Sequence, residues 1–135
     1  GNGWWYIAAH GKVLEQVGSP GSVMSVTGLT AQDPVPGELV AVEEEQASRL
    51  EYVLDLLMAL DAREMLADCS ALDCSRPRVL LLDYRDFRLK LPSTGEFDYM
   101  LGFLEGIFKE GRVDRDGSGT FDFTIEEGKA VYSQD

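Results

Sequence analysis

Short apolar segments separated by turn residues dominate the chain, and most have the composition or the alternation of β-strands. Aromatic, β-branched or alternating apolar residues predict strands. In chain order these segments are 4–9, 13–17, 23–26, 64–72, 79–82, 87–91, 119–125 and 129–133. The run at 79–82 is continuously apolar, which predicts a central strand covered on both faces. Turns at 10–12 and 126–128 predict hairpins near the two ends of the chain.

Two segments instead carry apolar residues at helical spacing. The first spans 43–61 and begins with three glutamates, which suit a helix N-terminus. Its stripe consists of Leu50, Val53, Leu54, Leu57 and Met58. The second follows a Ser93-x-x-Glu96 capping box and ends before Gly111, a suitable left-handed C-cap. Its stripe consists of Phe97, Met100, Leu101, Leu104, Ile107 and Phe108, and both stripes predict packing against a sheet.

The order of these elements predicts the fold class and the number of domains. Two helices among several short strands and hairpins favour an α+β fold. We expect a curved sheet of short, mostly antiparallel strands with the two main helices packed on it. A chain of 135 residues with 44% hydrophobic residues suits a single domain over residues 1–135.

The charge of the chain excludes several partner classes. The formal net charge is −12, which disfavours nucleic acid and anionic lipid. The apolar runs are too short to span a membrane, and no signal peptide is visible. The first three residues, Gly-Asn-Gly, resemble a cut point, so we expect a soluble piece of a longer protein. Five bases lie between Arg76 and Lys90, and we interpret them mostly as the solvated surface of a sheet.

Catalytic and cofactor motifs are weak throughout the chain. The one histidine, His10, lies in a predicted turn and leaves few options for a nucleophile–base pair. The 24 acidic residues guarantee chance carboxylate pairs, so none stands out. The sequence has neither a phosphate-binding P-loop nor a dinucleotide fingerprint. We therefore expect a protein that is not an enzyme and has no cofactor.

Residues 114–126 form the alternative functional hypothesis, a calcium-binding module with an EF-hand-like loop. Asp114, Asp116, Ser118 and Asp122 occupy the first, third, fifth and ninth ligand positions. The twelfth position requires a bidentate glutamate, but Ile125 stands there. Because this ligand is missing and strands rather than a helix follow, these four residues are weak candidates.

The two cysteines, Cys69 and Cys74, are too few for a zinc site. Their spacing leaves two alternatives, a disulfide or two separate thiols. The two cysteines are five residues apart around a predicted turn, so they are not directly opposite each other as in a hairpin pair. This spacing favours separate thiols.

The order of motifs resembles the extracytoplasmic C-terminal β domain of the bacterial cell-division family FtsQ, known as DivIB in Gram-positive bacteria. Residues 6–14 (YIAAHGKVL) resemble the opening hairpin, and residues 26–29 (VTGL) with 33–37 (DPVPG) resemble the next segment of the family. The central match is the strand, tight turn and strand at 79–91. The closing motifs are similar to 97–104 (FDYMLGFL), 119–124 (GTFDFT) and 128–132 (GKAVY).

The resemblance implies a non-enzymatic scaffold of the division machinery. Such a protein binds the coiled-coil division proteins FtsL and FtsB (DivIC in Gram-positive bacteria) and helps to control septal peptidoglycan synthesis. It implies a location at the extracytoplasmic face of the cell membrane at the division septum, where a disulfide is permitted. A cytoplasmic tail, one transmembrane helix and a POTRA domain would precede this domain, and the membrane would be reached through that helix alone.

The last strand is the predicted docking edge. A terminal strand often lies at a sheet edge, where a partner can add a strand of its own. Tyr132 is the expected aromatic anchor, and Val131, its neighbour on the opposite face, is the expected core residue. Carried over from the family, the predicted partner-binding residues are Ile125, Glu127, Lys129, Val131, Tyr132 and Ser133, with Ser93 at the entry of the second helix.

Overall fold

The computed structural model describes residues 3–135, so Gly1 and Asn2 of the proposed cut point lie outside the described residues. Within these described residues, eight strands and two α-helices follow one another. The strands are β1 (Trp4–Ile7), β2 (Val13–Val17), β3 (Ser25–Thr27), β4 (Cys69–Asp73), β5 (Val79–Tyr84), β6 (Phe87–Pro92), β7 (Gly119–Asp122) and β8 (Val131–Ser133). The helices are α1 (Ala47–Ala62) and α2 (Phe97–Lys109).

The strands form a two-stranded ribbon and a six-stranded mixed sheet. Strands β1 and β2 pair as the predicted antiparallel hairpin. The larger sheet has the order β3-β4-β5-β6-β7-β8. Strand β3 is parallel to β4 and β6 is parallel to β7, whereas the remaining neighbours are antiparallel. The predicted α+β class, with two helices and a mostly antiparallel sheet of short strands, is confirmed.

One face of the large sheet forms the core. The alternation of the strands points Leu82, Leu89 and Phe121 to this side, and all three are fully buried. The buried residues of both helices belong to the same hydrophobic cluster. The predicted central strand is also confirmed, since Leu80, Leu81 and Leu82 are all buried in β5.

The opposite face of the sheet carries the charged residues. In β6 the alternation places Arg88 and Lys90 here, beside Asp83 and Asp122 of the neighbouring strands. Arg88 Nε donates to Asp83 Oδ1 at 2.9 Å. Of the five bases in the strip, only Arg88 and Lys90 lie on this face, and neighbouring carboxylates balance part of their charge. The other three, Arg76, Arg78 and Arg85, lie in the turns that flank β5, so the expectation that the strip is mostly sheet surface is wrong.

Helix α1 differs from its prediction in the residue at which it begins and in the face that it buries. A 3-10 turn at Glu44–Gln46 precedes the α-helix, so the three glutamates lie before α1 and not in its first turn. The buried residues are Val53, Leu56, Leu57 and Leu60, whereas Met58 is 49% exposed. The buried face is therefore displaced from the predicted stripe, because the contacts of α1 with α2 and the sheet select the face.

The predicted capping box of α2 is wrong. The N-cap residue is Glu96, and it has no side-chain capping hydrogen bond. Ser93 lies further upstream, where its backbone N–H donates to Arg78 O at 3.1 Å. The predicted C-cap is confirmed, since Gly111 has a φ of +73° and its N–H donates to Phe108 O.

The predicted strand at 64–72 is also shorter than expected. Glu64 has a φ of +57°, and a 3-10 turn follows at Leu66–Asp68. The strand begins at Cys69 and continues to Asp73. Met65 and Leu66 precede the strand but pack against the hydrophobic core. Because buried residues before a strand are as apolar as those within it, the predicted strand was too long.

The cysteines are two separate buried thiols. Cys69 and Cys74 lie at the two ends of the β4 region and are both free. Cys74 Sγ donates to Thr27 O at 3.0 Å. Burial raises the pKa of Cys69 to about 12 and that of Cys74 to about 11, so both thiols stay protonated at neutral pH.

Neither helix among the described residues has the length and apolar character that a membrane span requires.

Candidate functional site

Strand β8 forms one edge of the six-stranded sheet. Within the part of the chain that the structure describes, its strand partner is β7, with Phe121 opposite Tyr132. The prediction that the terminal strand lies at a sheet edge is therefore confirmed. The other side of β8 presents backbone groups without a strand neighbour, which is the arrangement that accepts an added strand.

The side chains of β8 point in the opposite directions from those predicted. Tyr132 is paired with the buried Phe121 and lies on the core face of the sheet. Val131 is paired with Asp122, lies on the charged face, and is 48% exposed. The prediction that Val131 is the core residue is wrong, because β7 fixes the register and Phe121 already faces the core.

Tyr132 ends a series of aromatic contacts that begins in the core. The ring centroid of Phe108 lies 5.2 Å from that of Phe87, which lies 5.4 Å from that of Phe121. The ring of Tyr132 then lies 4.8 Å from that of Phe121, between ring centroids. Its hydroxyl donates to Ser118 O at 2.7 Å. Tyr132 therefore holds β8 in place, and with 36% exposure it keeps part of its surface available.

Gly119 makes this position of Tyr132 possible. A Cβ at Gly119 would lie 2.7 Å from Tyr132 Cε1 and 2.6 Å from Ser133 O. The backbone of Gly119 also has a φ of +143°, a conformation that other residues rarely adopt. The sequence pattern predicts a strand that begins at Gly119, but the contact of Gly119 with β8 depends on the tertiary pairing.

The segment between β7 and β8 is a compact, exposed turn. Asp122 Oδ1 accepts a hydrogen bond from the backbone N–H of Thr124 at 2.8 Å and a second from its hydroxyl. Lys129 Nζ lies 3.3 Å from Glu126 Oε1, and its backbone N–H donates to Glu126 O. Glu127 is exposed, and Ile125 is 66% exposed. The turn therefore presents a large apolar side chain beside the edge.

Ser93 lies at the same end of the sheet as this turn but contributes little surface. Strands β6 and β7 are parallel, so the residues that follow both strands meet at one end. The backbone N–H of Phe123 donates to Lys90 O at 2.9 Å across this junction. Ser93 itself is only 9% exposed, so a partner at this end would contact its neighbours rather than its side chain.

The electrostatic character of the edge is acidic. From residue 119 onward the chain carries Asp122, Glu126, Glu127 and Asp135 against a single base, Lys129. The exposed apolar residues in this region are Ile125, Val131 and Tyr132. Together these features suit a partner segment that is extended, apolar and not acidic.

The EF-hand-like loop does not gather a metal-binding cluster in the described structure. No group of three or more His, Cys, Asp or Glu residues within residues 3–135 is placed to hold a metal ion. Asp114 Oδ1 accepts the backbone N–H of Asp116, and Asp116 Oδ1 lies 3.3 Å from Arg85 Nη1. Ser118 accepts the Tyr132 hydroxyl through its backbone oxygen, and Asp122 lies in β7. Asp114, Asp116, Ser118 and Asp122 thus take part in local contacts of the loop and of β7, and they do not converge on a common point.

Comparisons of the chain with protein-family models, with curated proteins and with solved structures find no match. The docking edge therefore rests on the geometry of β7, β8 and their connecting turn, together with the motif resemblance.

Proposed function

We propose that this chain is a non-enzymatic binding domain of the FtsQ/DivIB type, which docks an extended segment of a division protein on β8. FtsL and FtsB (DivIC) are the expected partners, and the expected site is the extracytoplasmic face of the membrane at the division septum. The single observation that carries the proposal is the position of β8 at the sheet edge. The order of the motifs along the chain supports the choice of family.

The backbone of β8 supplies part of the proposed binding energy. An added strand would satisfy the N–H and C=O groups on the open side of β8. Each backbone hydrogen bond contributes about 0.5–1.5 kcal/mol net, so a three-residue strand needs further contacts. These contacts must come from side chains, which also set the register of the partner.

Ile125, Val131 and Tyr132 are the side chains that suit this role. Val131 and Ile125 are 48% and 66% exposed, and neither belongs to the hydrophobic core. Tyr132 contributes its exposed edge while its ring stays on Phe121. Burial of exposed apolar surface stabilises a complex by about 25 cal/mol per Å² before the costs of association. The apolar contacts are thus the expected source of affinity.

A binding titration of the domain with the soluble FtsL–DivIC ectodomains tests this proposal. Val131→Glu and Ile125→Glu should each weaken binding at least tenfold, because they place charge in an apolar contact. Leu39→Glu is a matched control, since Leu39 is 70% exposed and lies outside the β7–β8 region. All three variants should keep the melting temperature of the parent protein. The proposal fails if the parent does not bind, or if the Val131→Glu and Ile125→Glu variants bind as tightly as Leu39→Glu.

A further inference from the structure

A large apolar cleft separates the β1–β2 ribbon from the end of the six-stranded sheet. Its volume is about 1190 Å³, above the roughly 300–1,000 Å³ of typical small-molecule sites. Trp4 and Trp5 of β1 contribute to its lining, and so do Met24 and Val26 at β3. Leu57 of α1 also contributes to its lining. The cleft lies at the β3 end of the sheet, whereas the β8 edge is at the other end.

Two strand edges, those of β1 and β3, border this cleft. Alternate residues of a strand point to opposite faces, so a cleft above one face contacts every second residue. Every residue of β1 lines the cleft, and so does every residue of β3. Within residues 3–135, β1 pairs with β2 alone, and β3 pairs with β4 alone. Both strands therefore turn a side without a strand neighbour toward the cleft.

The hydrogen bonds around β3 show which backbone groups point into the cleft. Thr27 O accepts the N–H of Cys74, so the backbone groups of Thr27 point toward β4. The groups of successive residues in a strand alternate between its two sides, and those of Val26 therefore point away from β4.

The ribbon has the matching arrangement on its own side. The N–H of Ala8 donates to Lys12 O, which directs Ala8 toward β2. The register shifts between Tyr6 and Ile7, but the extra residue, Leu14, lies in β2, so the alternation of β1 continues. Counted back along β1, it directs the backbone of Trp5 away from β2. At the start of β2 the outer side is covered instead, since Val13 N–H donates to Glu38 O and Gly37 N–H donates to Val13 O. The strand of the ribbon whose every residue lines the cleft is β1.

We propose that this cleft binds an extended peptide segment, which inserts as a strand between β1 and β3 and pairs with both. The inserted strand would join the ribbon and the six-stranded sheet into one continuous sheet. This surface is distinct from the β8 edge, and the proposal does not depend on the function of that edge.

The side chains of the cleft define the chemistry of the peptide. Aromatic and aliphatic residues dominate the lining, so the segment presents apolar side chains. Asp61 at the end of α1 is the one charged residue among the described lining residues. Because the chain also carries a net charge of −12, a peptide with one lysine and no acid is favoured.

The two tryptophans make the cleft directly observable. Trp4 and Trp5 are the only tryptophans in the sequence, and both line the cleft. A suitable probe is a capped octapeptide that alternates threonine and valine with one central lysine. Its binding should shift the tryptophan emission to shorter wavelength. No saturable change at 1 mM peptide would overturn the proposal.

Backbone methylation of the probe separates insertion from simpler modes of binding. N-methyl groups on the odd residues block pairing on one side of the peptide, and those on the even residues block the other side. Insertion predicts that each methylated peptide binds at least tenfold more weakly than the parent. If either peptide keeps full affinity, the segment does not pair with both strands and the proposal is wrong.

Hydrogen exchange tests the open edge in the protein without any ligand. The amide of Val26 should exchange much faster than that of Thr27, and it should become protected when the probe binds. Protection of Val26 in the free protein would contradict the proposal.

Charge variants test whether Asp61 sets the charge preference of the cleft. Asp61→Asn should reduce the preference for a lysine over a glutamate in the probe at least threefold, while Asp55→Asn, an exposed position of α1 outside the cleft, should not. If the preference is unchanged in Asp61→Asn, Asp61 does not contact the peptide, and the proposed preference of the cleft for a lysine-containing peptide is wrong. Val131→Glu should leave probe binding unchanged, which separates this site from the β8 edge.

Discussion

The ring of Tyr132 lies 4.8 Å from the ring of Phe121, and this contact joins the last strand to the core. The hydroxyl of Tyr132 adds a hydrogen bond to Ser118 O at 2.7 Å. The docking edge is therefore held by one of the residues that would contact a partner. Under the proposed function we therefore expect substitutions of Tyr132 to change both stability and binding, and substitutions of the exposed Val131 to change binding alone.

Two substitutions of Tyr132 separate the hydroxyl from the ring. Tyr132→Phe should lower the free energy of unfolding by about 0.5–1.5 kcal/mol, because it removes one hydrogen bond and keeps the ring contact. Tyr132→Ala should cost more, since Phe121 also loses its cover. Denaturant unfolding of both variants measures the difference. Equal stabilities would show that the ring contact contributes nothing.

Gly119→Ala should displace β8 from β7. The added Cβ would meet Ser133 O and the Tyr132 ring, and the backbone conformation itself is strained for alanine. The expected cost is on the order of 1–3 kcal/mol. Hydrogen exchange should show faster exchange in β8, while circular dichroism should show unchanged helices. Normal protection of β8 in this variant would contradict the expected displacement.

Two glycines of α2 provide a matched pair around Arg63. A Cβ at Gly102 would lie 2.8 Å from Arg63 Nη2, whereas a Cβ at Gly106 meets nothing within 4 Å. Gly106→Ala should stabilise the helix by about 0.5–1 kcal/mol through its higher helix propensity. Gly102→Ala should gain less, because Arg63 must move from its ion pairs with Asp98 and Glu105. Thermal unfolding compares the two, and an equal gain would show that Arg63 moves at no cost.

The ion pair between Arg63 and Asp98 predicts a dependence of stability on pH. Hydrogen bonding to Arg63 lowers the pKa of Asp98 below its ordinary value. A lowered pKa in the folded state favours the charged form, so the contribution is present above the ordinary pKa of Asp98 and is lost as pH falls through the lowered value. Asp98→Asn should therefore reduce the acid dependence of the melting temperature, and 1 M salt should reduce the difference between variant and parent.

The buried thiols should react only after unfolding. Burial raises the pKa of Cys69 to about 12 and that of Cys74 to about 11, so the reactive thiolate is scarce in the folded protein at pH 8. A thiol reagent should label both cysteines in denaturant and neither in the native state. Because the raised values favour the protonated thiols, their contribution is complete below about pH 9 and is lost as pH rises toward 11–12. A disulfide detected by mass would contradict the structure.

The local elements of this protein follow from its residue pattern. Turn residues and alternation placed both terminal hairpins and the central strand, because these features depend on neighbours within a few residues. The Gly111 C-cap followed for the same reason. The bounds of a strand were predicted wrongly where a buried loop residue, such as Met65, is as apolar as a strand residue.

The surfaces that these elements present depend instead on contacts between distant segments of the chain. In β8 both Val131 and Tyr132 are large and apolar, so a three-residue alternation does not reveal which one faces the core; the pairing of Tyr132 with Phe121 decides it. The edge position of β8 and the cleft beside β3 depend on contacts between segments far apart in the chain. Sheet order and strand edges are properties of such long-range pairing, which local periodicity does not encode.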